Sequence, residues 1–237
     1  MCTGRNIRRN IVHIGTIALS EALATCILVF ITCLGSVPNM ALETIGIVQA
    51  AITSGMAVMI AIFIFGHISG AHVNPSVSLA AVICGHLRLT MCVVYIVSQL
   101  IGSSIGYGLI RAITPYYYIE MDMSVCVNSV SNSITLGQAY LTELLLSLVL
   151  VWANCAAWDE RNQNKKDSAP LKFGFLIAGL TFAGAGYTGA SMNPARSFAP
   201  ALWNWNWENH WVYWAGPVSA GIFGGIVYRF IFSKTIQ

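Results

Sequence analysis

Two Asn-Pro pairs carry the side chains with chemistry to offer. They sit in Gly70-Ala71-His72-Val73-Asn74-Pro75-Ser76 and in Gly189-Ala190-Ser191-Met192-Asn193-Pro194-Ala195-Arg196. Asn is a favoured N-cap, and Pro suits the first helical position because its missing N–H has no partner to lose there. Each pair therefore predicts a helix that starts at its Asn. The apolar runs that follow, Val77 to Ile83 and Phe198 to Trp203, belong to segments of about ten residues, too short to cross a bilayer. Two half-helices result, each with a positive end worth about half a charge. If both ends face one point, cations are repelled there. The Asn oxygens are used for capping, their NH2 groups turn inward, and carbonyls at Gly70, Ala71, His72, Gly189, Ala190 and Ser191 form a ladder of acceptors. Such a site recognises a neutral polar solute and breaks no bond. No nucleophile arrangement and no metal-ligand spacing is present, so no enzyme activity, metal or cofactor is expected.

These loops need a bilayer around them. Of the 237 residues, 56% are apolar and only 9% are Asp, Glu, Lys or Arg. Soluble domains carry about 25% charged residues, so this chain cannot cover a globular surface in water. Six stretches are apolar enough to span: Ile14–Gly35, Ile45–Phe65, Leu89–Ile110, Ala139–Ala157, Leu171–Ala185 and Trp211–Phe232. The apolar core of the first is too long for a cleaved signal peptide. Irregular backbone at membrane depth is tolerated only where it is buried or lines a wet cavity. The expected fold is an all-α membrane protein with six transmembrane helices plus two re-entrant half-helices.

Charge gives the orientation. Arg5, Arg8, Arg9, Arg88, Arg161, Lys165, Lys166, Lys172, Arg229 and Lys234 all fall on one side of six spans. The opposite loops hold Glu43, Glu120, Asp122 and Glu208, with Arg111 the nearby base. Basic loops stay in the cytoplasm, so both termini are expected inside, in an integral protein of the plasma membrane. The net charge of +3 is thus an orientation signal and not a nucleic-acid patch.

The chain also repeats itself. Glu21 precedes Asn74 by 53 positions, and Glu143 precedes Asn193 by 50. Each half has three spans, so the second enters the membrane in the opposite direction. The expected organisation is one channel domain over 1–237, with an inverted 3+3 repeat over 14–112 and 137–232. The matched placement of Glu21 and Glu143 points to a structural task, holding loop N–H groups near the half-helices.

Together these segments resemble the paired signatures of the aquaporin (major intrinsic protein) family, and Asn209-His210-Trp211-Val212-Tyr213-Trp214-Ala215-Gly216-Pro217 resembles the start of its last span. The resemblance runs from Glu21 to about Arg229 and implies the aquaporin fold, a homotetramer with one pore per subunit, and water as a permeant. Gly102, Gly106, Gly108, Gly216, Gly221, Gly224 and Gly225 fit helix packing between or within subunits. Ser76 departs from the usual Asn-Pro-Ala. The family's selectivity filter maps onto Ser54, Thr181, Ala190 and Arg196. Water-selective members carry Phe and His at the first two positions, and here both are small hydroxyl residues. Arg196 is a charge at membrane depth and is functional by default. A widened filter implies glycerol and urea as well as water. Ser197, Ala201, Tyr213 and Trp214 keep the water-channel pattern. The combination is similar to the insect glycerol-permeable aquaporins. The alternatives are a water-selective channel, or a junction or adhesion protein on the same fold with little flow.

The remaining candidates read as structural. His67 is expected to pack a loop, and the carbonyl of His72 is ranked before its ring. Tyr116, Tyr117 and Tyr118, and Trp203, Trp205, Trp207 and Trp211, are expected as interface anchors. Cys26, Cys33, Cys84, Cys92 and Cys155 read as small core residues, with Cys126 alone in an outer loop and no disulfide framework.

Overall fold

The computed structural model describes residues 2–37 (side chains from Arg9 onward), 46–115, 117–118 and 125–233. Glu43, Tyr116, Glu120, Asp122 and Lys234, and the side chains of Arg5 and Arg8, lie outside the described residues. Eight α-helices are described: α1 (Cys2–Leu34), α2 (Ile47–Ser69), α3 (Pro75–Ile83), α4 (Leu89–Ile113), α5 (Leu136–Trp158), α6 (Ala169–Thr188), α7 (Pro194–Asn204) and α8 (Val212–Val227). A 3-10 segment (Glu160–Ser168) leads into α6, and a π-turn (Tyr228–Phe232) ends α8. Among the described residues, six helices are long and apolar enough to cross a membrane. The fifth such span begins at Glu160, well before the expected Leu171, because the 3-10 segment, kinked at Lys165, leads without a break into α6.

Local chemistry explains the helix ends. Asn74 and Asn193 cap α3 and α7, each with Pro in the first turn. Thr135 and Gln138 form a reciprocal capping box that starts α5. Gly70 and Gly189 terminate α2 and α6 in the left-handed conformation, φ +87° and +77°. In both halves the second span therefore stops on a glycine four residues before the Asn of its half-helix.

The halves interlock. Within each half the first span packs on the third, α1 on α4 and α5 on α8. Each half-helix then crosses to the other half: α3 packs on α8, and α7 packs on α4. Close approach is made possible by glycine. A Cβ at Gly102 would stand 2.0 Å from Ala22 O on α1, and one at Gly216 would stand 2.7 Å from Glu143 Cβ on α5. Gly106 and Gly108, and Gly221, Gly224 and Gly225, likewise face neighbours within this chain, so these glycines serve packing inside one subunit. Leu19, Phe63, Val97, Leu145, Phe175, Phe182 and Phe223 point outward, as an apolar solvent requires.

Two expectations are corrected here. Cys33 is not a free core thiol, because it forms a disulfide with Cys126. Sequence spacing could not reveal this pairing of positions 93 residues apart, which α1 and the segment before α5 bring together. His67 packs no loop; it lies exposed in the last turn of α2.

Candidate functional site

Four consecutive backbone positions make each half of the site. After Gly70 the chain keeps positive φ at Ala71 (44°) and Val73 (46°); after Gly189 it does so at Ala190 (47°) and Met192 (55°). Such values are uncommon for residues with a Cβ and are outliers for a β-branched Val. They persist only where surroundings over-determine them.

Two buried carboxylates supply that constraint. Glu21 accepts from His72 N (3.0 Å), Val73 N (2.9 Å), Ser69 Oγ (2.6 Å) and Gln99 Nε2 (2.9 Å). Glu143 accepts from Ser191 N (2.9 Å), Met192 N (2.7 Å) and Thr188 Oγ1 (2.7 Å). Both are fully buried, at 0% exposure. A tyrosine completes each set: Tyr95 donates to Ser69 O at 2.6 Å, and Tyr213 to Thr188 O at 3.0 Å. Ser69, Thr188, Tyr95 and Tyr213 escape notice in a reading from the Asn-Pro pairs alone. Aligning one half on the other reveals a hydroxyl residue five places before each Asn and a Tyr about twenty places after it.

The two half-helix starts meet. Asn74 Oδ1 accepts from Ser76 N at 2.9 Å, and Asn193 Oδ1 accepts from Ala195 N at 3.0 Å. Each NH2 group donates across to the other loop: Asn74 Nδ2 to Met192 O and Asn193 Nδ2 to Val73 O, both at 2.8 Å. An amide NH2 has two hydrogens, so each Asn retains a second donor for the cavity that both line.

That cavity lies between the halves. Ser54, Thr181, Ala190 and Arg196, which the family resemblance grouped from four separate elements, all line it. Ala71, His72 and Ser191 line it as well. Gly70 and Gly189 end their helices at the entry to each loop, and Gly189 O accepts from Asn128 Nδ2 at 3.1 Å. The ring of His72 packs against Tyr95 and Trp158, at centroid distances of 4.8 and 5.5 Å. Apolar lining comes from Val58, Ile62, Leu150 and Ile177.

Arg196 is the charged group of this wall. Its Nη1 donates to Cys126 O at 2.7 Å and also to Asn128 Oδ1. Asn128 Oδ1 takes a further bond from Ser197 Oγ at 2.7 Å. Cys126 and Asn128 lie in the link between the halves. The sequence marked Cys126 only as an outer-loop cysteine and gave no sign of Asn128. Ser76, the departure from Asn-Pro-Ala, is buried and donates to Pro217 O in α8 at 2.5 Å. No cluster of His, Cys, Asp or Glu able to hold a metal ion occurs among the described residues.

Residues 11–228 match the major intrinsic protein family. Human aquaporin-2 is 38% identical over 212 residues, covering 90% of this chain and 77% of the relative. The lens fiber major intrinsic protein of Lithobates pipiens is 39% identical over 181 residues, covering 76% of this chain and 68% of the relative. Among solved structures, the X-ray structure of the aquaglyceroporin from Plasmodium falciparum superposes with a TM-score of 0.79, covering 92% of this chain and 96% of that one at 21% identity, a likeness of fold.

Proposed function

The chain belongs to the major intrinsic protein family, whose members are membrane channels and not enzymes, and we propose that it conducts glycerol and urea as well as water. The observation that carries this reading is the pair Ser54 and Thr181, two small side chains on the cavity that also holds Arg196. With no ring at either position, a solute wider than water has room. Its hydroxyl or amide groups find Thr181, the guanidinium, and the loop carbonyls in turn. Ions are excluded by the opposed half-helix ends and by Arg196, which leave a cation no substitute for its hydration shell. The profile is that of the insect glycerol-permeable aquaporins. The basic face is cytoplasmic, with both termini inside at the plasma membrane, and the assembly is a homotetramer.

Stopped-flow measurements on liposomes holding the purified protein test this reading. Water, glycerol and urea permeabilities are expected to exceed those of protein-free liposomes, while salt flux and proton flux stay at background. Glycerol flux at the protein-free level would overturn the wide-filter reading. That outcome favours a second reading, a water-selective channel. Its supporting observation is the Ser54 hydroxyl, which donates back to Ala50 O at 2.8 Å and so offers a passing solute less than its position suggests.

A further inference from the structure

The Cys33–Cys126 disulfide joins the last turn of α1 to the segment that holds Arg196. That segment touches the site in three ways. Cys126 O and Asn128 Oδ1 both accept from Arg196 Nη1. Asn128 Oδ1 also accepts from Ser197 Oγ, one residue along α7. Asn128 Nδ2 donates to Gly189 O, at the start of the second re-entrant loop. Tyr107 on α4 adds a bond from its hydroxyl to Val125 O at 3.0 Å. Cys126 itself sits at φ +62°, a conformation that needs outside support in a residue with a Cβ.

We propose that the disulfide is a specificity-determining clamp: by tying Cys126 to α1 it keeps two acceptors fixed on Arg196 Nη1 and so holds the guanidinium flat against the cavity wall. Asn128, tied to Ser197 and Gly189, holds Arg196 from one side, and Arg196 lines the cavity on the other. A released guanidinium can therefore enter that cavity. A long flexible side chain regains rotamer freedom when its partners let go. Without the covalent tie, two hydrogen bonds from one segment must offset that gain, and the guanidinium spends part of its time in the path. A wide solute suffers more from that narrowing than water does. On the proposed orientation this end of the channel faces the extracellular side, where disulfides persist. The clamp rests on the proposed filter role of Arg196.

The test uses full-length protein in liposomes, so the channel is folded before the bond is cut. A membrane-impermeant phosphine reduces the disulfide, an alkylating reagent caps the two thiols, and mass spectrometry verifies both. Glycerol permeability is expected to fall roughly fivefold while water permeability falls less than about twofold. Cys33→Ser, Cys126→Ser and the double variant should each reproduce that ratio, because any one of them removes the same bond. Asn128→Ala, which removes the second acceptor, should shift it in the same direction. In Arg196→Ala, cleavage should leave the ratio unchanged. A verified reduction that leaves the ratio unchanged overturns the clamp, as does a ratio that rises. A fall that persists in Arg196→Ala overturns it too, because the bond then acts elsewhere. If the untreated protein passes no glycerol, the wide-filter reading fails on its own, and the clamp is read from water flux, which reduction should lower in the unaltered protein and leave unchanged in Arg196→Ala.

Discussion

The two re-entrant loops share one backbone and differ in what they carry. Each leaves a helix on a left-handed glycine, keeps positive φ at two further residues, hangs from a buried Glu, and ends in an Asn that caps its half-helix. Around its buried Glu the first loop is braced mainly by its own half, and the His72 ring also meets Trp158 of the other. Gln99 bridges Glu21 and Ser78 Oγ, and His72 packs on Tyr95. The second loop leads directly to Arg196 and borrows support from the Cys126–Asn128 segment, which belongs to neither repeat. The symmetric parts therefore hold shape, whereas the charged chemistry was added to one side only. A scaffold built twice can be tuned at one end without disturbing the other.

The largest expected effect strikes the shared scaffold. Glu21→Gln and Glu143→Gln each replace a carboxylate oxygen by an NH2 group that faces loop N–H donors. An unsatisfied buried polar group costs about 1–3 kcal/mol, and each substitution affects at least one such donor together with the group that replaces its acceptor. Destabilisation of roughly 2–6 kcal/mol is expected in both variants. Thermal unfolding in detergent and water permeability per folded protein are the measurements. Glu21, with four donors against three, should be the more sensitive. A variant with unchanged stability and flux would show that its carboxylate does not hold the loop.

Next comes the chemistry carried near the second loop. Ser54→Phe with Thr181→His refills the space opposite Arg196. Glycerol permeability is expected to drop at least about tenfold with water flux kept within about threefold, and the single changes should not add, since both narrow one constriction. Undiminished glycerol flux in the double variant would mean that these positions set no cutoff.

A third, smaller effect uses mercury as a probe of which loop lines the constriction. None of the described cysteines lines the cavity, although Cys84 and Cys155 lie 3.5 Å apart, sulfur to sulfur, beside α3. The protein is expected to resist direct block by mercurials, and Ala190→Cys should confer several-fold inhibition that a thiol reverses. Full reversible block of the unaltered protein would point instead to that dithiol, to be tested by single substitutions.

The smallest effect lies where the halves differ by one atom. Ser76→Ala converts the first motif to the Asn-Pro-Ala of the second and deletes the bond to Pro217 O. Loss of about 1 kcal/mol is expected, with solute ratios unchanged, read by thermal unfolding beside the stopped-flow assay. A shifted glycerol-to-water ratio would show that the residue acts on permeation and not only on the contact between α3 and α8.

What the residues determined unaided was everything that rests on local or periodic physics. Six apolar lengths made spans, Asn-Pro made capped half-helices, and two in-phase Glu residues announced a repeat, because hydropathy and capping need only near neighbours. The tertiary structure alone decided the rest. It turned Asn74 onto Met192 O and Asn193 onto Val73 O, 118 and 120 positions away in sequence. It bonded Cys33 to Cys126 and gave Arg196 its acceptors in a segment with no repeat partner. These contacts arise only when α3 crosses to α8 and α7 to α4, so the interlocking of the halves, and no local preference, sets which distant groups come within hydrogen-bonding reach.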